Sequence, residues 1–181
     1  MSKRKDYRLR PLAETDLEKV LEWRNSERIR ANMYTDHLIN MDEHRAWFER
    51  TKQREDSVHL IFEYQAHPVG VVNVTQIDKR NNKCFWGFYL GEVDVSRGSG
   101  AVMEYLALNY IFEVLGIRKL GAEVFAFNTQ VIKLHKKFGF VEEGCFVKHV
   151  LKNNKYEDVI PMALFAEEWL KAKPKFEKLL F

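Results

Sequence analysis

Cysteine is scarce in this chain: two in 181 residues, Cys84 and Cys145, far apart. Both fall in strand-like surroundings, so each is expected to be a buried thiol in a reducing compartment. The zinc-holding spacings Cys-x-x-Cys and His-Glu-x-x-His are missing, and no metal site is expected. No apolar run approaches the roughly 20 residues that span a bilayer. The opening Met1-Ser2-Lys3-Arg4-Lys5 is basic, but no apolar segment follows. That pattern argues against a signal peptide and for a cytoplasmic protein with no membrane partner. A strong charge of one sign is lacking too. With 29 basic and 26 acidic residues the net charge is +3, too even for the basic stripe that holds a duplex. Nucleic acid is not expected as a partner, and a small polyanionic ligand suits the balance better. Repeats, linkers and low-complexity tracts are also absent.

What is present suffices for a packed core. Hydrophobic residues make up 46% and aromatics 13%, a composition that folds and that fits one α/β domain over residues 1–181. Tyr7 to Leu12 reads as a first strand. Thr15-x-x-Glu18 reads as a capping box for a helix with Leu17, Val20 and Leu21 on one face, running to Trp23-Arg24-Asn25. Asn40 can cap a second helix through Glu43 and bury Trp47 and Phe48. The polar stretch between, Ser26 to Ile39, is long for a connection, as functional loops often are. Val58 to Tyr64 and Pro68 to Ile77 read as a hairpin, with a further strand over Cys84 to Leu90. Met103, Leu106, Ala107, Tyr110, Ile111 and Val114 make a helical stripe wide enough to require cover on most sides. Lys119 to Phe127 reads as a strand, and Val141 to Lys152 and Tyr156 to Phe165 as two more joined at Asn153-Asn154, residues that tolerate positive φ. Glu167 to Leu180 closes the chain as a helix.

The most informative run is Ser96-Arg97-Gly98-Ser99-Gly100-Ala101-Val102, a glycine turn between a strand and a helix. A helix start offers unpaired N–H groups and the positive end of the macrodipole, and glycine lets an anion approach the main chain. It is neither a phosphate loop of the Gly-Lys-Ser/Thr kind nor a dinucleotide fingerprint, whose third glycine it lacks. A second such unit, Asn128 to Phe140, follows the strand from Lys119.

Together these two segments resemble the coenzyme-binding motifs of the GNAT superfamily of N-acetyltransferases. Arg97 and Gly100 match the first motif, with Val102 where a small residue is usual. Asn128, Ile132, Leu134, Lys137, Gly139 and Phe140 match the second, with His135 where the family has tyrosine. The resemblance implies a mixed, mostly antiparallel sheet of about seven strands flanked by helices, with acetyl-CoA in a wedge between two of them. It would place pantetheine along the main chain near Phe88 and Leu90, and pyrophosphate on Arg97, Gly98, Ser99, Gly100, Ala101 and Val102. Val102 would crowd that turn. Asn128 would join the coenzyme site, and Lys133 would meet the adenosine phosphate. His135 shares an inward face with Val131, Leu134 and Phe138 and is the candidate acid for the leaving thiolate, against the reading of a packed core histidine. Glu123 alternates with Phe125 and Phe127 on a strand expected to be covered on both faces. It is either the base that takes the amine's proton or half of a structural ion pair.

The N-terminal half resembles one branch in particular, the nucleotide-sugar N-acetyltransferases of pseudaminic-acid biosynthesis. The segments concerned are Trp23-Arg24-Asn25, Met33-Tyr34, Glu43-His44-Arg45-Ala46-Trp47-Phe48 and Glu104-Tyr105-Leu106-Ala107-Leu108. That branch would put a UDP-linked amino sugar against Arg24, Met33, Tyr34, His44, Thr75 and Tyr89. Two other readings stand beside it: a protein N-terminal acetyltransferase, and a non-catalytic module for coenzyme A or a nucleotide. A homodimer is left open.

Overall fold

The computed structural model describes residues 3–181. Met1 and Ser2, on which the signal-peptide reading partly falls, lie outside the described residues. Strand β1 (Tyr7–Pro11) leads through a short 3-10 turn to helices α1 (Leu17–Asn25), α2 (Glu27–Arg30) and α3 (Met41–Lys52). Then come β2 (Val58–Tyr64), β3 (His67–Asp78), β4 (Lys83–Leu90) and α4 (Ser99–Asn109), which continues as a π turn over Tyr110–Val114. The remainder is β5 (Lys119–Phe125), α5 (Thr129–Phe138), β6 (Val141–Glu142), β7 (Phe146–Lys152), β8 (Lys155–Phe165) and α6 (Ala166–Leu180). All strands join one eight-stranded sheet in the order β1-β2-β3-β4-β5-β8-β6, with β7 also on β8. Only β4 and β5 run parallel.

Several expectations need correction. The capping box falls on different residues, because Asp16 accepts from the Ala13 N–H at 2.8 Å and is held by Arg10, while α1 begins at Leu17. The expected strand from Val141 to Lys152 is broken into β6 and β7. The Ser26 to Ile39 stretch contains α2. Cys84 is buried, but Cys145 lies between β6 and β7 and is exposed. Trp47 is half-buried rather than buried. The Asn40 cap on Glu43 forms as expected at 2.9 Å, and Asn153 and Asn154 take positive φ in the β7–β8 turn.

The sheet separates two apolar layers because side chains alternate along each strand. Even-numbered residues of the central strands, among them Val72, Val74, Cys84, Trp86 and Leu120, pack beneath α4, α5 and α6 with Met103, Leu108, Phe138 and Trp169. Odd-numbered residues Ile61, Val71 and Tyr89 pack beneath α1 and α2 with Val20, Trp23 and Ile29. Each such aromatic or aliphatic side chain, once buried, contributes about 1.5–3 kcal/mol. Trp23 is pinned where β4 ends: a Cβ on Gly91 would lie 2.0 Å from its ring. Gly91→Ala is therefore expected to cost about 1–3 kcal/mol by overpacking, seen as a thermal midpoint lower by roughly 3–10 °C. An unchanged midpoint would show that α1 does not rest on this contact.

Candidate active site

β4 and β5 pair only at Lys83, Cys84 and Phe85 with Lys119, Leu120 and Gly121. Beyond Phe85 the two strands part. β4 stays with β3 as far as Gly70 opposite Leu90, while β5 stays with β8 as far as Phe125 opposite Val159. The result is a wedge whose inner edges are main chain, suited to an extended amide-bearing ligand. Phe88 and Leu90 lie on its β4 edge, though the Leu90 carbonyl already accepts from Arg28 at 3.0 Å. Arg28 was not singled out from sequence, since nothing local marks an α2 arginine that reaches across to β4.

At the top of the wedge α4 begins. Gly98 holds the N-cap position with φ 95, a left-handed conformation that glycine adopts without strain, and no side chain caps the helix. A Cβ on Gly100 would meet only Leu90 Cδ1 at 3.8 Å. The open helix start fits a pyrophosphate at its glycines rather than along the whole run from Arg97 to Val102, because the Ser99, Ala101 and Val102 N–H groups already donate to the Ser96 and Gly98 carbonyls. The Ser99 hydroxyl does not take part, because it is buried and donates to Ser96 O at 2.7 Å. Val102 is buried in the layer beneath the sheet, so it does not crowd the turn as expected. Arg97 and Lys133 are exposed. Asn128 caps α5 by accepting from the Val131 N–H at 3.4 Å, which gives its side chain a structural task.

His135 lies on the α4 side of the sheet, 3% exposed, its ring stacked on Phe140 and beside Trp86 and Phe88 of β4. Its Nδ1 is 2.8 Å from Glu104 Oε1. It is thus packed in the core, as one sequence reading had it, yet it abuts the strand that edges the wedge.

Glu123 is exposed rather than covered, although Gly121 and Phe125 on the same face of β5 are buried. Phe127 lies past the end of β5 and is likewise exposed. Tyr34 donates its hydroxyl to Glu123 Oε2 at 2.5 Å and sets its ring edge-on to Phe125. Burial and this bond push the Tyr34 phenol above its usual range. The loop bearing Tyr34 is fastened at several points. Asn25 pairs with both Ile39 N–H and carbonyl, and Lys152, itself buried, donates to Met33 O at 2.6 Å.

Across the same odd face run His59, Asn73 and Gly87, direct partners on β2, β3 and β4. His59 Nδ1 is 2.7 Å from Asn73 Oδ1, and burial holds the imidazole below its ordinary range, so the neutral ring donates from Nδ1. A Cβ on Gly87 would meet nothing within 4 Å, so a depression lies over the sheet there. Trp47 stands beside it, edge-on to His59 and stacked on His44. His44 is buried, and burial lowers its pKa; it backs Trp47 rather than lining the opening. Thr75 lies on the same face one pair further down, opposite Phe85. Arg24 donates to both Thr35 oxygens, and its Nη1 is buried without a partner. Tyr89 and Met33 pack with the Trp23 cluster. His59, Asn73 and Gly87 escaped the sequence reading because only strand register brings them into one row. A separate cavity of about 230 Å³, bounded by Leu9, Leu106, Asn109, Tyr110, Glu113 and Val114, lies at the far end of α4 and shares none of these residues.

Comparison with known proteins agrees with this geometry. Residues 7–141 match the acetyltransferase (GNAT) domain family. The SPbeta prophage-derived uncharacterized N-acetyltransferase YokL of Bacillus subtilis (strain 168) is 28% identical over 69% of this chain and 71% of its own. Acetyltransferase PseH of Campylobacter jejuni (strain ATCC 700819 / NCTC 11168) is 26% identical over 69% of this chain and 76% of its own. The crystal structure of spermidine N-acetyltransferase from Vibrio cholerae with CoA and spermine superposes with a TM-score of 0.87 at 22% identity, covering 92% of this chain and 99% of that one. This chain belongs to the GNAT acetyltransferase family. It is an N-acetyltransferase, and acetyl-CoA is its acetyl donor.

Two substitutions test the two halves of the site. Gly100→Glu puts a carboxylate into an uncrowded helix start and should abolish acetyl-CoA binding in a folded protein, while Gly100→Ala should bind near normally. Calorimetry showing full affinity for the glutamate variant would remove the turn from the coenzyme site. Gly87→Leu fills open space, so it should leave the thermal midpoint unchanged and raise the acceptor KM by roughly tenfold or more. An unaltered KM would place the acceptor elsewhere.

Proposed function

We propose that this N-acetyltransferase acts in the cytoplasm on the 4-amino group of a UDP-linked amino-deoxy sugar, of the pseudaminic-acid type. The observation that carries the reading is Arg24. Its guanidinium has a buried N–H with no acceptor, and among the described residues no carboxylate stands within ion-pairing distance of it. Burial is the main influence on it, lowering its pKa, yet an arginine stays charged. An unpaired buried donor is unfavourable by about 1–3 kcal/mol, and a diphosphate oxygen would satisfy it. A polycationic acceptor would meet repulsion there. Tyr89 lies near enough to feel the guanidinium charge, and the Trp47, Tyr34 and Met33 side chains offer apolar surface for a base.

The chemistry asks little of the protein beyond positioning and two proton movements. Acetyl-CoA, when bound, supplies the activated thioester. Main chain along the wedge and at the α4 start holds it. Glu123 takes the proton that the amine loses, once the amine has replaced the Tyr34 hydroxyl on its carboxylate. His135 provides the proton for the departing sulfur.

A second reading has an observation of its own. Glu123 is an exposed carboxylate beside Tyr34 and the stacked Phe125 and Phe127 rings, surroundings that also suit the ammonium of a polyamine. Initial rates with a UDP-amino sugar, spermidine and an alanine-terminated peptide separate the readings. The UDP-sugar should turn over, and millimolar UDP should compete with it but not with acetyl-CoA. Arg24→Ala should raise the KM for the sugar nucleotide by roughly ten- to a hundredfold and leave that for acetyl-CoA alone. Spermidine or peptide turnover indifferent to UDP would overturn the proposal.

A further inference from the structure

Glu104 is the one carboxylate of α4, and it faces inward. It stands among Met103, Tyr105, Ala107 and Leu108 and is 0% exposed. A carboxylate so placed is costly without compensation. Its hydrogen-bond partner among the described residues is a single group, the His135 imidazole, with Oε1 2.8 Å from Nδ1. Oε2 is buried with no partner at all. A carboxylate whose task was to tie α4 to α5 would be expected to use both oxygens; this one is half satisfied.

The histidine is equally constrained. Phe140 stacks on it with ring centres 4.6 Å apart, and Trp86 and Phe88 lie at 5.5 and 5.7 Å. Of the groups around the ring, β4 supplies Trp86 and Phe88, the turn after α5 supplies Phe140, and α4 supplies Glu104, the single titratable neighbour among the described contacts. Burial pushes the Glu104 carboxyl up, and the hydrogen bond with His135 draws it partly back. A tyrosine at position 135 would need no such partner, since a phenol has one proton on one atom. An imidazole has two nitrogens, and whichever group holds one decides what the other presents.

We propose that Glu104 is a positioning residue for acetyl transfer, forming with His135 a buried pair that holds Nδ1 so that Nε2 presents its N–H to the departing thiolate. The proposal rests on the reading of His135 as the leaving-group acid. The pair shares one proton between Oε1 and Nδ1 and keeps a second on Nε2. As the thioester C–S bond breaks, its electron pair goes to sulfur. Nε2 gives its proton to that sulfur, forming the S–H bond, and the shared proton settles on Nδ1. A neutral imidazole and a carboxylate remain, and after the coenzyme leaves a proton from solvent, equivalent to the one the amine released through Glu123, restores the pair.

Glu104→Gln keeps the shape but cannot hold the shared proton. It should lower kcat by roughly 10- to 10³-fold while both KM values stay within about twofold and the thermal midpoint does not fall. His135→Phe should lower kcat by roughly 10²- to 10⁴-fold, and the double variant should be no slower than His135→Phe alone, because the two act as one unit. His135→Gln replaces the phenylalanine variant if Glu104 left without a partner prevents folding. Nitrogen NMR of the imidazole should show the Nε2–H in the wild type and a changed tautomer mixture in Glu104→Gln. Full kcat in Glu104→Gln beside a slow His135→Phe would overturn the role of Glu104 and leave the acid standing. Full kcat in His135→Phe would overturn both.

Discussion

The parting of β4 from β5 after Phe85 is the constraint on which the site depends. Two strands that begin as parallel neighbours cannot stay paired when each is held more firmly on its other side. β4 is fastened to β3 through Leu90, and its end is gripped by Trp23 against Gly91 and by Arg28 on the Leu90 and Gly91 carbonyls. β5 is fastened to β8 through Phe125. The main-chain groups left between them are satisfied by a ligand or by water. On the odd face beside the parting Glu123 is exposed, and a Cβ on Gly87 would meet nothing within 4 Å.

Because the sheet lies between the layers, Glu123 and His135, the groups proposed to handle protons, occupy opposite sides of it. Glu123 belongs to the face beneath α1 and α2, together with Tyr34, His59 and Asn73. His135 belongs to the face beneath α4, enclosed by aromatic rings and joined to Glu104. The Glu123 side is thereby open and polar, and the His135 side is dry. A carboxyl buried on the dry side is tolerable only with a partner.

The loop from Ser26 to Ile39 is tied to this frame. Asn25 closes it at its base, Arg24 and Lys152 hold its middle, and Tyr34 reaches Glu123 at its tip. The Asn25 and Arg24 contacts span 14 and 11 positions, but those of Lys152 and Tyr34 span 119 and 89, so the loop takes its shape from α1, β5 and the β7–β8 hairpin together. Residues that read as individual substrate contacts thus divide their work. Arg24 and Tyr34 brace the loop, and His44 supports Trp47 from behind.

Much was legible in the sequence. Asn40 three residues before Glu43, the glycines at 98 and 100, and the Asn153-Asn154 pair act through their own backbone within a few residues, so spacing alone located two helix starts and a turn. The stripe from Met103 to Val114 declared a covered helix, and the motif residues 97 to 102 and 128 to 140 declared the family. Spacing could not say which side chains are free. Glu104 read as one residue of an apolar helix, and its bond to His135 spans 31 positions. Glu123 read as covered because it alternates with Phe125 and Phe127, and only the fold shows its own side chain exposed. Thus the chain by itself determined the glycine turn at 98 to 100, the family and the order of most elements, since these rest on local backbone preferences and short-range hydrogen bonds. Tertiary structure decided the row of His59, Asn73 and Gly87, the exposed Glu123 and the buried Glu104–His135 pair, because strand register and burial set which distant polar groups must satisfy one another.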